Sequence, residues 1–291
     1  MMKTKKDKIA IFVLGGVIVC LLGFMFWGYN EYRTLSNLQR ELNIEKGLVE
    51  KSLQAKTEES EYLFSQLTEE QQKNISFENQ IKEITTQVGT LDKLSKTDKE
   101  LLKKYSKVYF LNEHYIPEKL SEIPKGLLYE EGRIQHIHQS VLPFLEEMIK
   151  AAEAENISLE IISAYRSFGE QSSLKTSYKV VYGAGTANQF SADQGFSEHQ
   201  LGTTLDFTTE KLGSSFTTFK ETDSYKWLVE NAYRYGFILS YPENNDYYQF
   251  EPWHWRFVGK KLANRMHIEK ENFYDVDQRK IDNYLISIFD N

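Results

Sequence analysis

An uncharged, nearly continuous apolar stretch from Ile9 to Trp27 constrains this chain more than any other feature; the next charge comes only after Asn30. Its length is close to the roughly 20 residues that an α-helix needs to cross a bilayer's hydrocarbon core. Lys3, Lys5, Lys6 and Lys8 precede it, and this positive flank predicts a cytoplasmic amino terminus. Trp27, Tyr29 and Tyr32 stand where an interfacial aromatic belt would lie. The competing reading is a cleaved signal peptide. No small-x-small cleavage site follows the run, and Val19, not a small residue, precedes Cys20. The expectation is a cytoplasmic tail over 1–8, a single-pass anchor in the cell membrane over 9–30, and an extracytoplasmic remainder.

That remainder divides by composition. All five prolines lie at or after Pro117 and all six histidines at or after His114. Of the 40 aromatic residues, nine fall within the first 104. Residues 31–104 are instead rich in Glu, Lys, Gln and Leu, with Gly47 and Gly89 as the breakers. Leu63, Leu67, Glu70, Asn74, Phe77, Ile81, Ile84, Val88 and Leu91 alternate spacings of four and three, the seam of a coiled coil. Leu35, Leu38, Leu42 and Val49 give a shorter, weaker seam. Polar Glu70 and Asn74 on the seam lower stability but can fix register. Two readings stay open: a solvated spacer with weak self-association, or a homodimerising or partner-binding rod. Fully helical over about 65 residues, from 31 to about 95, such a stalk reaches about 100 Å at 1.5 Å per residue.

Residues 105–291 are long enough for one well-buried core. Leu142, Leu145, Met148, Ile149 and Ala152 recur at helical spacing, predicting a helix over 142–155. Strands are expected at 158–163, 202–207, 237–241 and 247–250, and helices at 225–236 and 281–289. Residues 255–265 start extended and turn helical. No regular βαβ repeat appears, so the expected class is α+β: a mostly antiparallel sheet flanked by helices, preceded by the transmembrane helix and the coiled-coil stalk. The net charge of −7 argues against nucleic acid as a partner. The single cysteine, Cys20, excludes a disulfide framework and a Cys-based zinc site. Any chemistry must run on His, carboxylates, Ser or a metal.

Two segments concentrate such groups: Ser197-Glu198-His199-Gln200-Leu201-Gly202-Thr203-Thr204-Leu205-Asp206-Phe207 and Glu251-Pro252-Trp253-His254-Trp255. Two His and one Asp suit Zn²⁺ and leave a fourth tetrahedral position for water, as in catalytic sites. Zinc lowers the pKa of a bound water to about 7. A nearby carboxylate must then move protons, and Glu251 is placed for this if its segment wraps round the site. His114, His136, His138 and His267 have no comparable surroundings and read as bystanders.

These segments closely resemble the two signatures of VanY-type D-alanyl-D-alanine carboxypeptidases, zinc metallopeptidases related in site geometry to lysostaphin-type enzymes and the hedgehog amino-terminal domain. The likeness extends to Ser163-Ala164-Tyr165-Arg166-Ser167 with Gln171, to Trp227-Leu228 with Asn231-Ala232-Tyr233, and to Tyr235-Gly236-Phe237-Ile238. It covers about residues 110–265 and implies a hedgehog/DD-peptidase-like fold. It further implies His199, Asp206 and His254 as zinc ligands and Glu251 as general base and acid. Arg166 would hold the substrate carboxylate or the developing oxyanion; Ser197 and Gln171 would orient substrate; Tyr165 and Trp253 would wall the pocket. The implied function is removal of carboxy-terminal D-alanine from peptidoglycan stem peptides without a nucleophilic serine. The alternatives are L,D-cleavage of tetrapeptide stems and a non-catalytic wall-binding scaffold. The sequence departs from the family at Ala164 (commonly Gly), at Ser240 (commonly Arg), and at Asn244-Asn245-Asp246-Tyr247-Tyr248, where a Thr-Gly turn is usual. These departures bear on substrate preference, since the ligand positions and Glu251 are intact.

Overall fold

A computed structural model of the chain describes residues 5–104, 111–182 and 191–290. The expected boundary at residue 105 and the first four residues of the tail, Lys3 among them, lie outside the described residues. The chain forms two compact units, Met1–Thr85 and Thr86–Asn291.

The described residues of the first unit are helix throughout, part of α1 (Lys5–Lys96). It contains the one helical stretch among the described residues that is long and apolar enough to cross a membrane. Its apolar side chains are exposed all round, Phe12 at 85% and Trp27 at 63%. The seam residues Leu63, Phe77, Ile81, Ile84 and Leu91 are also exposed. Gly47 and Gly89 do not break the helix. An interior glycine costs about 1 kcal/mol relative to alanine, which the flanking Glu, Lys, Gln and Leu residues outweigh.

The second unit holds a four-stranded antiparallel sheet in the order β3-β4-β6-β5. Its strands are β3 (Glu160–Ser163), β4 (Thr204–Thr208), β5 (Phe237–Leu239) and β6 (His254–Phe257). A separate antiparallel pair joins β1 (Leu120–Glu122) to β2 (His136–His138). Every residue of β4 and β6 is buried, so polar groups on the central pair must find partners inside the protein. Helix α2 (Leu142–Ala154) buries Leu145, Met148, Ile149 and Ala152 of the expected stripe and adds Phe144, while Leu142 is half-buried. Helix α3 (Phe168–Tyr182) follows β3. Helix α4 (Asp223–Asn231) starts where Thr222 Oγ1 accepts from the Tyr225 amide and runs into a 3₁₀ turn ended by Gly236 at φ 86°. Helices α5 (Lys260–Glu269) and α6 (Gln278–Asp282) follow β6.

Antiparallel strands flanked by helices agree with the expected α+β class. Two local expectations fail. Residues 247–250 form no strand, because Asn245 Oδ1 accepts from the amides of both Tyr247 and Tyr248 and curls the segment into a turn. The carboxy-terminal helix spans Gln278–Asp282, with a separate 3₁₀ turn at Leu285–Ser287. Asp277 accepts from the Arg279 amide and fixes the start upstream of Ile281. The core also reaches further back than residue 105: Leu101 and Leu102 are buried and Leu94 packs against the same cluster.

Candidate active site

The site forms where β3, β4 and β6 run side by side. Asp206 of β4 and His254 of β6 are register partners and share one face of the sheet. A register shift in β3 between Ile161 and Ser163 brings Ser163 opposite Asp206 and re-aims the chain that follows. His199 sits on the 3₁₀ turn Glu198–Leu201, which Gly202 closes at φ 69°. Two bonds stitch this turn to the end of β3: the Arg166 amide donates to the His199 carbonyl at 3.3 Å, and His199 Nδ1 donates to the Ala164 carbonyl at 2.6 Å.

That second bond fixes the His199 tautomer and leaves Nε2 with its lone pair. Nε2 is buried and has no hydrogen-bond partner, although Asp206 Oδ2 lies 3.2 Å away. Buried polar atoms are rarely left unpaired, so an orphaned imidazole nitrogen beside a carboxylate points to a cation. Ligand atoms of His199, Asp206 and His254 lie within 4.8 Å of one another. His254 turns Nδ1 toward this group, 3.1 Å from Asp206 Oδ1 and 3.5 Å from Glu251 Oε2. Its other nitrogen, Nε2, lies 2.9 Å from Glu198 Oε2. A neutral His, an ionised Asp and a second His backed by a carboxylate fit zinc.

The electrostatics agree. Burial and the nearby Arg166 push His199 down to about 4, keeping it neutral. Burial opposes ionisation of Asp206, but His199 and His254 outweigh it and hold the carboxyl well below its ordinary range. Burial likewise opposes charge on His254, yet bonds to Asp206 and Glu198 raise it to about 10. Asp206 and Glu198, one at each ring nitrogen of His254, favour a positive charge there, supplied by a proton on His254 or by a metal ion. Burial raises Glu251 to about 7, with Asp206 and Glu198 adding to the shift and His254 and Arg166 opposing it. A carboxyl poised near neutrality suits proton transfer in both directions.

Arg166, Ser197, Glu251, Trp253, His199, Asp206 and His254 line one cleft, joined by Tyr241. Tyr241 stacks on the His254 ring with centroids 4.2 Å apart. Arg166 Nη1 donates to Ser163 Oγ and lies 3.8 Å from Asp206 Oδ2, while its Nε is buried without a partner. Gln171 and Tyr165 are not among the lining residues. Gln171 is buried, and its Nε2 donates to Ser191 Oγ and the Ala192 carbonyl; it thereby holds the segment whose Ser191 and Ala192 line the cleft. Tyr165 is half-buried, its amide bonded to the His136 carbonyl. Of the other histidines, His114 pairs with Glu113, His138 stacks on Phe289 and His267 on Tyr233. Sequence reasoning gave Glu198, Arg256, Tyr241 and Tyr274 no role. Position beside His199 and His254 was the available signal for the first two.

Comparisons with known proteins point the same way. Residues 134–260 match the family model described as VanY: D-alanyl-D-alanine carboxypeptidase. The chain is 36% identical over 164 residues to YodJ of Bacillus subtilis (strain 168), covering 54% of this chain and 60% of YodJ. It is 36% identical over 142 residues to a D-alanyl-D-alanine carboxypeptidase of Enterococcus faecium, covering 47% of this chain and 42% of that protein. The chain therefore spans about half the length of these curated relatives. Among solved structures, the LdcB LD-carboxypeptidase matches with TM-score 0.55 and 32% identity, covering 62% of this chain and 88% of LdcB.

Proposed function

The chain carries a domain of the VanY D-alanyl-D-alanine carboxypeptidase family, and on that premise we propose that it is a zinc carboxypeptidase removing carboxy-terminal D-alanine from peptidoglycan stem peptides outside the cytoplasm. The observation that carries this reading is the grouping of His199, Asp206 and His254 with Glu251 3.5 Å from His254 and Arg166 opposite. When bound, zinc would polarise the scissile carbonyl and acidify a water beside it. Glu251 takes the proton of the attacking water and returns it to the leaving amine. Arg166, with an unpaired Nε and a guanidinium fork, binds the substrate carboxylate or the oxygen that becomes anionic. Ser197 and Trp253 contribute the cleft wall; Gln171 and Tyr165 act from behind it.

The apolar run of α1 serves as a single-pass anchor with a cytoplasmic amino terminus. The seam from Leu63 to Leu91 serves as a spacer able to self-associate into a homodimeric coiled coil. A second substrate reading, L,D-cleavage of tetrapeptide stems, is favoured by one observation, the similarity to LdcB. The test is incubation of the full chain in detergent with defined tetra- and pentapeptide stems, with and without a chelator, products read by mass spectrometry. Alanine loss from the pentapeptide that a chelator stops and zinc restores is the expected result. Loss from the tetrapeptide alone selects the L,D reading. Absence of chelator-sensitive loss from either stem removes the peptidase reading.

A further inference from the structure

Behind His254, on the side away from the cleft, lies a buried polar chain that the reaction does not use. Glu198 has no exposed surface, and neither does Arg256. The two Glu198 oxygens divide their work. Oε1 accepts from Arg256 Nη1 at 2.7 Å, from Ser240 Oγ at 2.8 Å and from Tyr274 Oη at 2.8 Å. Oε2 faces His254 Nε2 at 2.9 Å. Arg256 then continues outward: Nη2 donates to the carbonyls of Leu101 and Lys103, each at 3.0 Å, and its guanidinium lies 4.4 Å from the Phe273 ring centroid. Gln278 clamps the same backbone, donating to the Leu102 carbonyl and accepting from the Lys104 amide.

A carboxylate bonded to the far nitrogen of a metal-binding imidazole fixes the ring's tautomer and orientation and strengthens it as a donor. A buried carboxylate holds that place only if it is itself paired. Arg256 supplies the pairing charge. A lysine ammonium could not span Glu198 and two backbone carbonyls with one planar fork. The buried Ser240 hydroxyl is spent on Glu198.

We propose that Glu198 and Arg256 are positioning residues of the metal site, tying His254 to the backbone of Leu101–Lys103, so that the segment just after α1 is part of what holds the ligand in place. The proposal rests on the zinc reading of His199, Asp206 and His254. It adds a dependence of that site on a segment outside the matched family region.

The test measures zinc affinity of the full chain in detergent by competition with a chromophoric chelator, beside thermal melting of the zinc-free protein. Glu198→Gln keeps the size of the side chain but removes its charge. It is expected to weaken zinc binding about 10- to 100-fold. Tyr274→Phe removes one donor to Oε1 and leaves the Oε2 contact alone; its zinc affinity is expected to stay within about twofold of the original. Should Glu198→Gln not be recovered folded, Arg256→Lys carries the same expectation with a several-fold loss. Glu198→Gln, or Arg256→Lys in its place, with unchanged zinc affinity overturns the proposal. So does a loss in Tyr274→Phe as large as in Glu198→Gln, because general loosening would then explain both. A parent chain that takes up no zinc overturns the metal site itself, whereas normal uptake by parent and Glu198→Gln alike overturns only the positioning role.

Discussion

Glu251 sits among neighbours of opposite sign, Arg166 and His254 favouring its charge and Asp206 and Glu198 opposing it, while burial sets the balance near neutrality. It supplies no ligand atom to the His199–Asp206–His254 group. Glu251→Ala is therefore expected to lower kcat by about 10²- to 10⁴-fold while the protein still binds one equivalent of zinc by metal analysis. Full activity in the zinc-loaded variant would remove Glu251 from the mechanism. His138 gives a pH signature of its own. It is buried against Phe289, its Nδ1 accepts from the Ser140 amide, and burial lowers its pKa. The unfolded chain thus binds the proton first, near pH 6.5. Stability from this group is full above that pH and falls as pH drops toward the lower folded-state value. The gap in urea midpoint between the parent and His138→Gln should be wider at pH 7.5 than at 5.5; an equal gap at both would refute it. The grouping of His199, Asp206 and His254 with Glu251 was readable in the sequence because residue types and spacing already suggest a metal-binding set with a nearby carboxylate. Glu198 and Arg256 carried only the signal of standing near His199 and His254 in the sequence; their pairing joins residues 58 positions apart, and only the packed interior brings them together.

Elements were legible where pattern and punctuation coincide. Helix α2 shows a clear apolar stripe, and the 3₁₀ turn that continues α4 ends at Gly236, whose left-handed φ closes it. A Cβ on Gly236 would lie 2.6 Å from Phe257 Cε2 and 3.0 Å from the Gly259 carbonyl carbon. Gly236→Ala is therefore expected to cost about 2–4 kcal/mol, backbone strain and overpacking together, read from urea unfolding; a loss below about 1 kcal/mol would show that the turn relaxes freely. Helix α3 escaped notice because its sequence is polar and lacks a clean stripe. Its start was nonetheless written as a capping box: the Ser167 amide donates to Glu170 Oε2, and the Glu170 amide to Ser167 Oγ. The strand expected at 247–250 failed for the converse reason, an aromatic-rich segment overruled by one asparagine at its edge.

At the scale of the molecule, the compact unit begins at Thr86, ahead of the change in composition near residue 105. Leu94, Leu101 and Leu102 continue the leucine-rich texture of the stalk, so nothing in the sequence marks them as core. A fragment of residues 86–291 is expected to fold and melt cooperatively. One of 105–291 loses two buried leucines and strands the Arg256 donors, a loss of about 5 kcal/mol; equal melting of the two fragments would refute this. Residues 1–85 should partition the full chain into membranes, and deletion of 1–30 should release it to the soluble fraction. The pairing of Asp206 with His254 across β4 and β6 carries one more consequence. A slip of one residue between those strands would turn Asp206 or His254 to the opposite face, so a chain misaligned in this way cannot assemble the proposed metal site. Metal uptake by a refolding chain would therefore time the moment its central strands find their partners, a stopwatch built from two of its own side chains.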